Sequence, residues 1–287
     1  MTCRVTKASA AAEAWTIFWQ EQGAGSRCGV NAPPEMRKVL DSNWWAFAST
    51  LPPATTVLDI GCGAGAVGQE LLACQPSLRI TGIDFASIPP DPRKELLSNT
   101  PMESLPLADR SFEAIVSQFG YEYGRTGEAA REVARVVVSG ASLSLLVHHS
   151  ESPIIAGCKR HRRALEQLTS ASIEAAFMSG NHRALEQQFA AIRRDCPGEQ
   201  IVGQASRGLA FRIHRNEAER AAVWHAVVDA LAPELLMLSS LETSFVAPDE
   251  LMRWLEPLAD EFELSPPSTV RMGGGGPLAW KIEGRRR

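Results

Sequence analysis

The sequence predicts an α/β fold: a doubly wound, mostly parallel sheet of seven strands that ends in an antiparallel C-terminal hairpin. Three observations carry this. Short apolar runs alternate with helix-length segments between residues 56 and 149, the pattern of a parallel sheet covered by helices on both faces. A glycine-rich turn joins the first of these runs to the helix that follows it. The last two apolar runs lie too close together for a parallel crossover, which needs a dozen or more residues, so they must pair antiparallel.

Residues 1–54 precede the sheet. In "AAAEAWTIFWQEQ" (10–22), Ala14, Ile17 and Phe18 fall on one helical face with Trp15 and Trp19 adjoining. A second helix is marked by Val39, Leu40, Trp44, Phe47 and Leu51 and stopped by Pro52 and Pro53. The stretch between them, "GAGSRCGVNAPP", reads as loop. These helices are expected to cap a sheet edge or cover a ligand.

Residues 55–150 hold the core of the sheet. "TVLDI" (56–60) is a buried strand, followed by the glycine turn and a helix carrying Val67, Leu71 and Leu72. "LRITGID" (78–84), "FEAIVSQF" (112–119) and "ASLSLLVHH" (141–149) are further strands, with the helix "EAAREVARVV" before the last. Ligands in such sheets bind beyond the carboxyl ends of the strands. Residues 151–240 are helical in composition and form a cap inserted after the strand at 141–149. "RALEQ" occurs there twice, at 163–167 and 183–187, too short a likeness to establish a repeat. In residues 241–287, "APDELMRWLEPLADEF" is a helix begun at Asp249 or a neighbour, with Leu251, Trp254, Leu255 and Leu258 on its core face. "ELSPPSTVRM" and "PLAWKIEG" then form the hairpin through "GGGGP".

Composition narrows the function. A net charge of −4 over 287 residues gives no bulk reason to expect nucleic acid as partner. The six cysteines, Cys3, Cys28, Cys62, Cys74, Cys158 and Cys196, contain no C-x-x-C pair and no zinc-site spacing, so reduced thiols and no metal are expected. Neither a signal-peptide pattern nor an apolar run of about 18 residues occurs, which predicts a cytoplasmic protein without a membrane span. A two-fold dimer is the default expectation for such a chain.

"TVLDIGCGAGAVG" (56–68) satisfies two patterns at once. Gly63, Gly65 and Gly68 give the G-x-G-x-x-G of dinucleotide-binding oxidoreductases. Asp59, Gly61, Gly63 and Gly65 give an acid followed by three alternate glycines. Both place a turn where backbone approaches a ligand closely. Asp59 decides between them, because it lies inside a strand where an apolar residue is the norm and can bind a ligand ammonium group. Asp84 ends the next strand and suits the two hydroxyls of a ribose in either reading. The terminal hairpin also speaks against a plain dinucleotide fold.

With "VLDIGCGAG", "GIDFA" and "MESLPLADRSFEAIVSQFGYEY", the chain resembles the class I S-adenosylmethionine-dependent methyltransferases, in their quinone and small-molecule branch. Leu105, Pro106, Leu107, Asp109, Ser111, Phe112 and Glu113 match a form common there, and the resemblance covers residues 55 to 150. It implies S-adenosyl-L-methionine as cofactor and S-adenosyl-L-homocysteine as product. Gly61, Cys62, Gly63 and Gly65 would wrap the methionine part and Asp59 would hold its amino group. Asp84 would bind the ribose, Phe85 would pack on adenine beside Met102 and Glu103, and Gln118 and Phe119 would face the methionine portion. Pro101 stands where relatives often carry an Asp for the adenine amino group, which would leave adenine to backbone groups and Glu103.

For catalysis the candidates are His148 and His149, which end a strand at the ligand side, and Tyr121, within the set Tyr121, Glu122 and Tyr123. Alternation sends the two histidines to opposite faces, so one of them at most reaches an acceptor. Imidazole titrates near neutrality and can take a proton from a hydroxyl; the plain alternative is a hydrogen-bonded loop histidine. The expected acceptor is a small, partly apolar molecule, anionic or neutral, methylated on O or C between the cap and residues 118–123. Lys159, Arg160, Arg162, Arg163, Arg193 and Arg194 would attract an anion or an acidic carrier protein, or simply face solvent. A catalytically silent cofactor-binding regulator and a nicotinamide-dependent oxidoreductase are the alternatives.

Overall fold

The computed structural model describes residues 7–22, 33–91, 95–273 and 275–287. They form two units, one of residues 1–155 and 243–287 and the other of residues 156–242. Most of the loop read between the first two helices, together with Cys3 and Cys28, lies outside the described residues.

The sheet of the first unit is built around β1 (Thr56–Ile60), buried at four of its five positions, as a strand covered on both faces must be. β2 (Arg79–Ile83) and β4 (Phe112–Gln118) flank β1 in parallel, and the full order is β3-β2-β1-β4-β5-β8-β6. β3 (Glu95–Leu97), only three residues long and half exposed at the edge, gives no periodicity that sequence reading could catch. β5 (Val137–His148) follows helix α4 (Thr126–Val136) without a loop and begins four residues earlier than its apolar run suggests.

The C-terminal end matches the expected antiparallel geometry with one difference. The run before the glycines is two strands, β6 (Phe262–Leu264) and β7 (Ser268–Arg271), split at Pro266 and Pro267, which have no N–H for a ladder. Both pair antiparallel with β8 (Pro277–Arg286) along different parts of its length. The sheet therefore has eight strands in seven positions.

Helices cover both faces. On one, α4 and α10 (Leu251–Glu261) bury Val133, Leu251, Leu255 and Leu258 against Ile115, Leu143 and Leu145. On the other, α2 (Pro34–Ala48) and α3 (Ala66–Cys74) bury Trp44, Phe47 and Leu71 against Val57, Val116 and Leu146. At roughly 1.5–3 kcal/mol for each large apolar side chain, these two layers are what hold the sheet. α10 starts after Glu250 with no side-chain cap. α1 (Lys7–Gln22) buries Ala14, Trp15 and Trp19, leaving Ile17 and Phe18 partly exposed, so its inner face is rotated from the one sequence predicts.

The second unit has its own core. α5 (Pro153–Leu168) leads into it, followed by α6 (Ala171–Met178), α7 (His182–Asp195), α8 (Gln200–Arg212) and α9 (Glu217–Glu242). Leu165, Phe177, Leu185, Phe189 and Trp224 pack together there, so the leucines of both "RALEQ" copies enter one core. Among the described residues, α9 alone is long and apolar enough to cross a membrane, with mean hydropathy 1.4. Asp229 and Glu234 interrupt its apolar run, and Trp224 and Leu238 are buried in the unit's core.

Candidate active site

The glycine turn after β1 takes its shape from its backbone. Gly61, Gly63 and Gly65 have φ of 63°, 49° and 75°, left-handed values that cost an L side chain roughly 1–2 kcal/mol each. The Gly65 N–H donates to the Cys62 carbonyl at 2.8 Å, and the Cys62 N–H donates to the Ile83 carbonyl at 3.0 Å. Space forbids side chains as firmly as dihedrals do. A Cβ on Gly61 would stand 2.7 Å from Gly120 Cα, and one on Gly63 would overlap the Trp19 indole.

Register places Asp59 opposite Gly82 and Ile60 opposite Ile83, so Asp84 emerges beside the turn. Its Oδ2 accepts the Gly63 N–H at 2.8 Å and its Oδ1 accepts the Ala86 N–H at 2.9 Å. Burial pushes its carboxyl up to about 6, against the pull of the N–H bonds from Ala86 and Gly63. Each oxygen keeps a second lone pair for a ligand hydroxyl.

Asp84 and Phe85 line a cleft with Gly61, Met102, Phe119 and Gly120. Trp15, Trp19, Thr100 and Tyr123 complete much of its wall. α1 is held beside it by the Thr16 hydroxyl, which accepts the Ser87 N–H at 2.9 Å. The Trp15 ring meets Tyr123 edge-on with centroids 5.6 Å apart. An aromatic wall over a glycine turn, facing a ribose-sized acid, suits a flat, partly apolar ligand with a hydroxylated sugar.

Several expected residues have other work. Gln118 faces α2, where its Oε1 accepts the Trp44 indole N–H at 2.6 Å; alternation along β4 puts it on the face opposite Ile115. Glu103 is turned away from the cleft, its Oε1 accepting the Arg125 N–H at 2.7 Å ahead of α4. Cys62 is buried with its thiol near Gly82, where a Cβ would stand 2.7 Å from the sulfur. Asp59 is buried against the first turn of α3, its Oδ2 4.0 Å from where a Gly68 Cβ would stand.

The catalytic candidates separate as well. Tyr121 is buried in the core with its ring edge-on to Trp254 at 5.9 Å, and burial raises its hydroxyl well above the ordinary range. It packs away from the cleft, and Tyr123, two residues on, lines the cleft instead. His149 stacks on Trp280 with centroids 4.3 Å apart, and its Nδ1 accepts the Glu151 N–H at 3.1 Å. Burial lowers its pKa, and it is a turn-bracing histidine. His148 is different: its Nδ1 lies 2.7 Å from Glu122 Oε1, which also accepts the His148 backbone N–H at 2.9 Å. Its ring stacks on Phe119 at 4.2 Å.

Three contributors escape sequence reading. Gly120 packs on Gly61, Gly82 accommodates Cys62, and Ser117 donates to the Ile60 carbonyl at 2.7 Å while accepting the Tyr121 N–H. Only "FGYEYG" hinted at the first, since a glycine after a strand suggests close backbone approach.

Residues 57–140 match the family described as methyltransferase domain. Over that stretch, less than a third of its length, the chain is similar to a methyltransferase domain. The chain is 33% identical over 109 residues to the 2-methyl-6-phytyl-1,4-hydroquinone methyltransferase of Synechocystis sp., a match covering 34% of each chain. It is 29% identical over 123 residues to a ubiquinone/menaquinone biosynthesis C-methyltransferase of Geotalea daltonii, covering 37% of this chain and 52% of that one. The matches thus span between a third and about half of these relatives' length. The fold is that of a Burkholderia thailandensis 1,6-didemethyltoxoflavin-N1-methyltransferase, solved with 1,6-didemethyltoxoflavin and S-adenosylhomocysteine. That likeness covers 100% of this chain and 91% of the other at TM-score 0.51 and 10% identity. The cofactor of this domain class is S-adenosylmethionine. The cradle here fits it, since a Cβ would clash at Gly61 and at Gly63 and the two Asp84 oxygens beside the turn have lone pairs to spare.

Proposed function

We propose that this chain transfers a methyl group from S-adenosylmethionine to a small, partly apolar acceptor. The observation that carries the reading is the cradle: three left-handed glycines under an aromatic wall, with Asp84 reaching across to the Gly63 N–H. The cofactor supplies an electrophilic methyl on a sulfonium. The chain's residues hold and orient: Gly61, Gly63 and Gly65 present backbone to the methionine part and Asp84 takes the ribose hydroxyls. Phe85 and Met102 flank the adenine, Phe119 and Gly120 bound the reacting end, and Trp15 and Trp19 exclude water. Alignment in a dry cleft is worth several kcal/mol of the barrier.

The relatives' names, a hydroquinone and a quinone-biosynthesis methyltransferase, support a ring compound as acceptor. Four of the six basic residues read as an anion-attracting face are paired with acids and lend no support to an anionic acceptor. Arg160 pairs with Glu199, Arg162 with Glu166 and Glu242, Arg163 with Asp195, and Arg193 with Glu186. Their charge is spent inside the second unit. Calorimetric titration with S-adenosylmethionine, S-adenosylhomocysteine and NADH tests the reading. Micromolar binding of both adenosyl ligands without NADH is expected; NADH binding alone would overturn it.

A further inference from the structure

We infer that His148 and Glu122 form a proton-accepting pair that deprotonates a hydroxyl on the acceptor, so that the chain methylates oxygen on a small hydroxylated ring compound. This rests on the methyltransferase reading and adds to it the acceptor group and the residue that activates it.

Glu122 is a fully enclosed carboxylate near the cleft, its side chain 0% exposed and that of His148 5%. Its Oε1 takes both the backbone and the Nδ1 protons of His148, at 2.9 and 2.7 Å. Two donors from one residue on one oxygen fix the ring in the tautomer protonated at Nδ1, which leaves the Nε2 lone pair as the acceptor. Among the described residues Nε2 has no hydrogen-bond partner, and no Lys or Arg pairs with Glu122, whose Oε2 is buried without one. A buried carboxylate without a counter-ion is costly. The cation that relieves it is the imidazolium formed when Nε2 takes a proton. The arrangement is thus complete after proton uptake and incomplete before it, as a base requires.

The pair is also placed for this. His148 is the last residue of β5, at the ligand end of the strand. Its ring lies flat on Phe119 and meets Tyr123 edge-on at 6.4 Å, and both of those side chains line the cleft. Phe119 is held there at φ 57°, a left-handed value that a bulky residue adopts only under constraint from its surroundings. In the step itself, the acceptor O–H bond breaks towards Nε2, and the oxygen pair forms the new bond to the methyl carbon. The C–S pair stays on sulfur. One positive charge leaves the sulfonium and one appears on the imidazole, so the net charge of the site is unchanged.

Nitrogen-15 NMR of the full chain, read with S-adenosylhomocysteine titrations and methyl transfer to phenol and to thiophenol, tests this. The expected wild-type spectrum shows His148 protonated at Nδ1 and bare at Nε2. Glu122→Gln, which keeps an acceptor, preserves that tautomer, and Glu122→Met scrambles it. His148→Ala and Glu122→Met are expected to lower kcat on phenol at least a hundredfold, with KM and S-adenosylhomocysteine affinity within twofold of wild type. Thiophenol, which arrives as its anion at pH 8, needs no base, so His148→Ala should lose far less of its kcat on thiophenol than on phenol. An Nε2-protonated His148 in the wild-type chain, or equal loss on both acceptors, overturns the pair while leaving the cofactor reading intact. Failure of the wild-type chain to bind S-adenosylhomocysteine overturns both.

Discussion

Replacing Gly120 with alanine tests whether the cleft depends on two backbones in contact. A Cβ there would stand 2.9 Å from Gly61 Cα and 2.9 Å from the Ile60 carbonyl oxygen, about half an ångström inside van der Waals distance. Neither obstacle is a side chain that could swing aside, because both belong to the end of β1 and the glycine turn. Overpacking of this kind costs about 1–3 kcal/mol, which for a chain of this size lowers Tm by roughly 2–12 °C. The turn must also move away from β4, so S-adenosylhomocysteine affinity should fall at least tenfold. Gly61→Ala meets the same wall from the other side, 2.7 Å from Gly120 Cα, and adds its left-handed φ of 63°; it should cost about 1 kcal/mol more. Scanning calorimetry and ligand titration on the two variants decide the matter. Wild-type Tm and affinity in Gly120→Ala would show that the contact is not tight and that the cradle has slack.

Other expectations follow from the same geometry. Asp84→Ala should weaken S-adenosylhomocysteine binding at least tenfold, since it removes the ribose acceptors and the anchor of the Gly63 N–H; an unchanged Kd in calorimetry refutes the ribose role. Asp84 holds its proton more tightly folded than unfolded, with its carboxyl at about 6. The unliganded fold should therefore gain stability as pH falls through that value while cofactor affinity drops, both measurable by titration between pH 5 and 8. In the second unit, hydrogen bonds to Glu234 and Glu199 raise His161 to about 9. Its contribution is complete below the unfolded imidazole value and lost as pH rises through about 9, so the urea midpoint should fall between pH 7 and 10, and His161→Ala should flatten that fall. Gly157 in α5 has open space where a Cβ would go. Gly157→Ala should raise stability by about 0.5–1 kcal/mol, and a lower urea midpoint would contradict it.

Local signals carried much of the fold into the sequence. Parallel strands buried on both faces appear as plain apolar runs, and the glycine turn announces itself by spacing, so β1, β2, β4 and β5 and the acids Asp59 and Asp84 could all be read. β3 could not, because three half-exposed edge residues hold their place through neighbours and not through pattern. The same applies inside the cleft. Gly120 matters through a contact with a residue 59 positions earlier, and Gln118 was drawn to α2 by Trp44, a partner 74 positions away that no periodicity reveals. Sequence placed two histidines at the right end of β5; only Glu122 and Trp280 on their opposite sides set the carboxylate-paired ring apart from the stacked one.

That brace has a consequence for how such chains diversify. His149 bridges to Val246, the His148 carbonyl accepts the Val246 N–H at 3.0 Å, and the Trp280 indole N–H holds the Val246 carbonyl at 3.0 Å. The chain therefore leaves the sheet and returns to it at a stapled pair of points, with the 156–242 unit strung between them. To the sheet that unit is one closed loop, and the entropy of closing a loop grows only slowly with its length. The whole segment can lengthen, shorten or be exchanged while the sheet that carries the glycine turn keeps its own closure. Excising residues 156–242 behind a short linker would reveal whether the sheet folds without them.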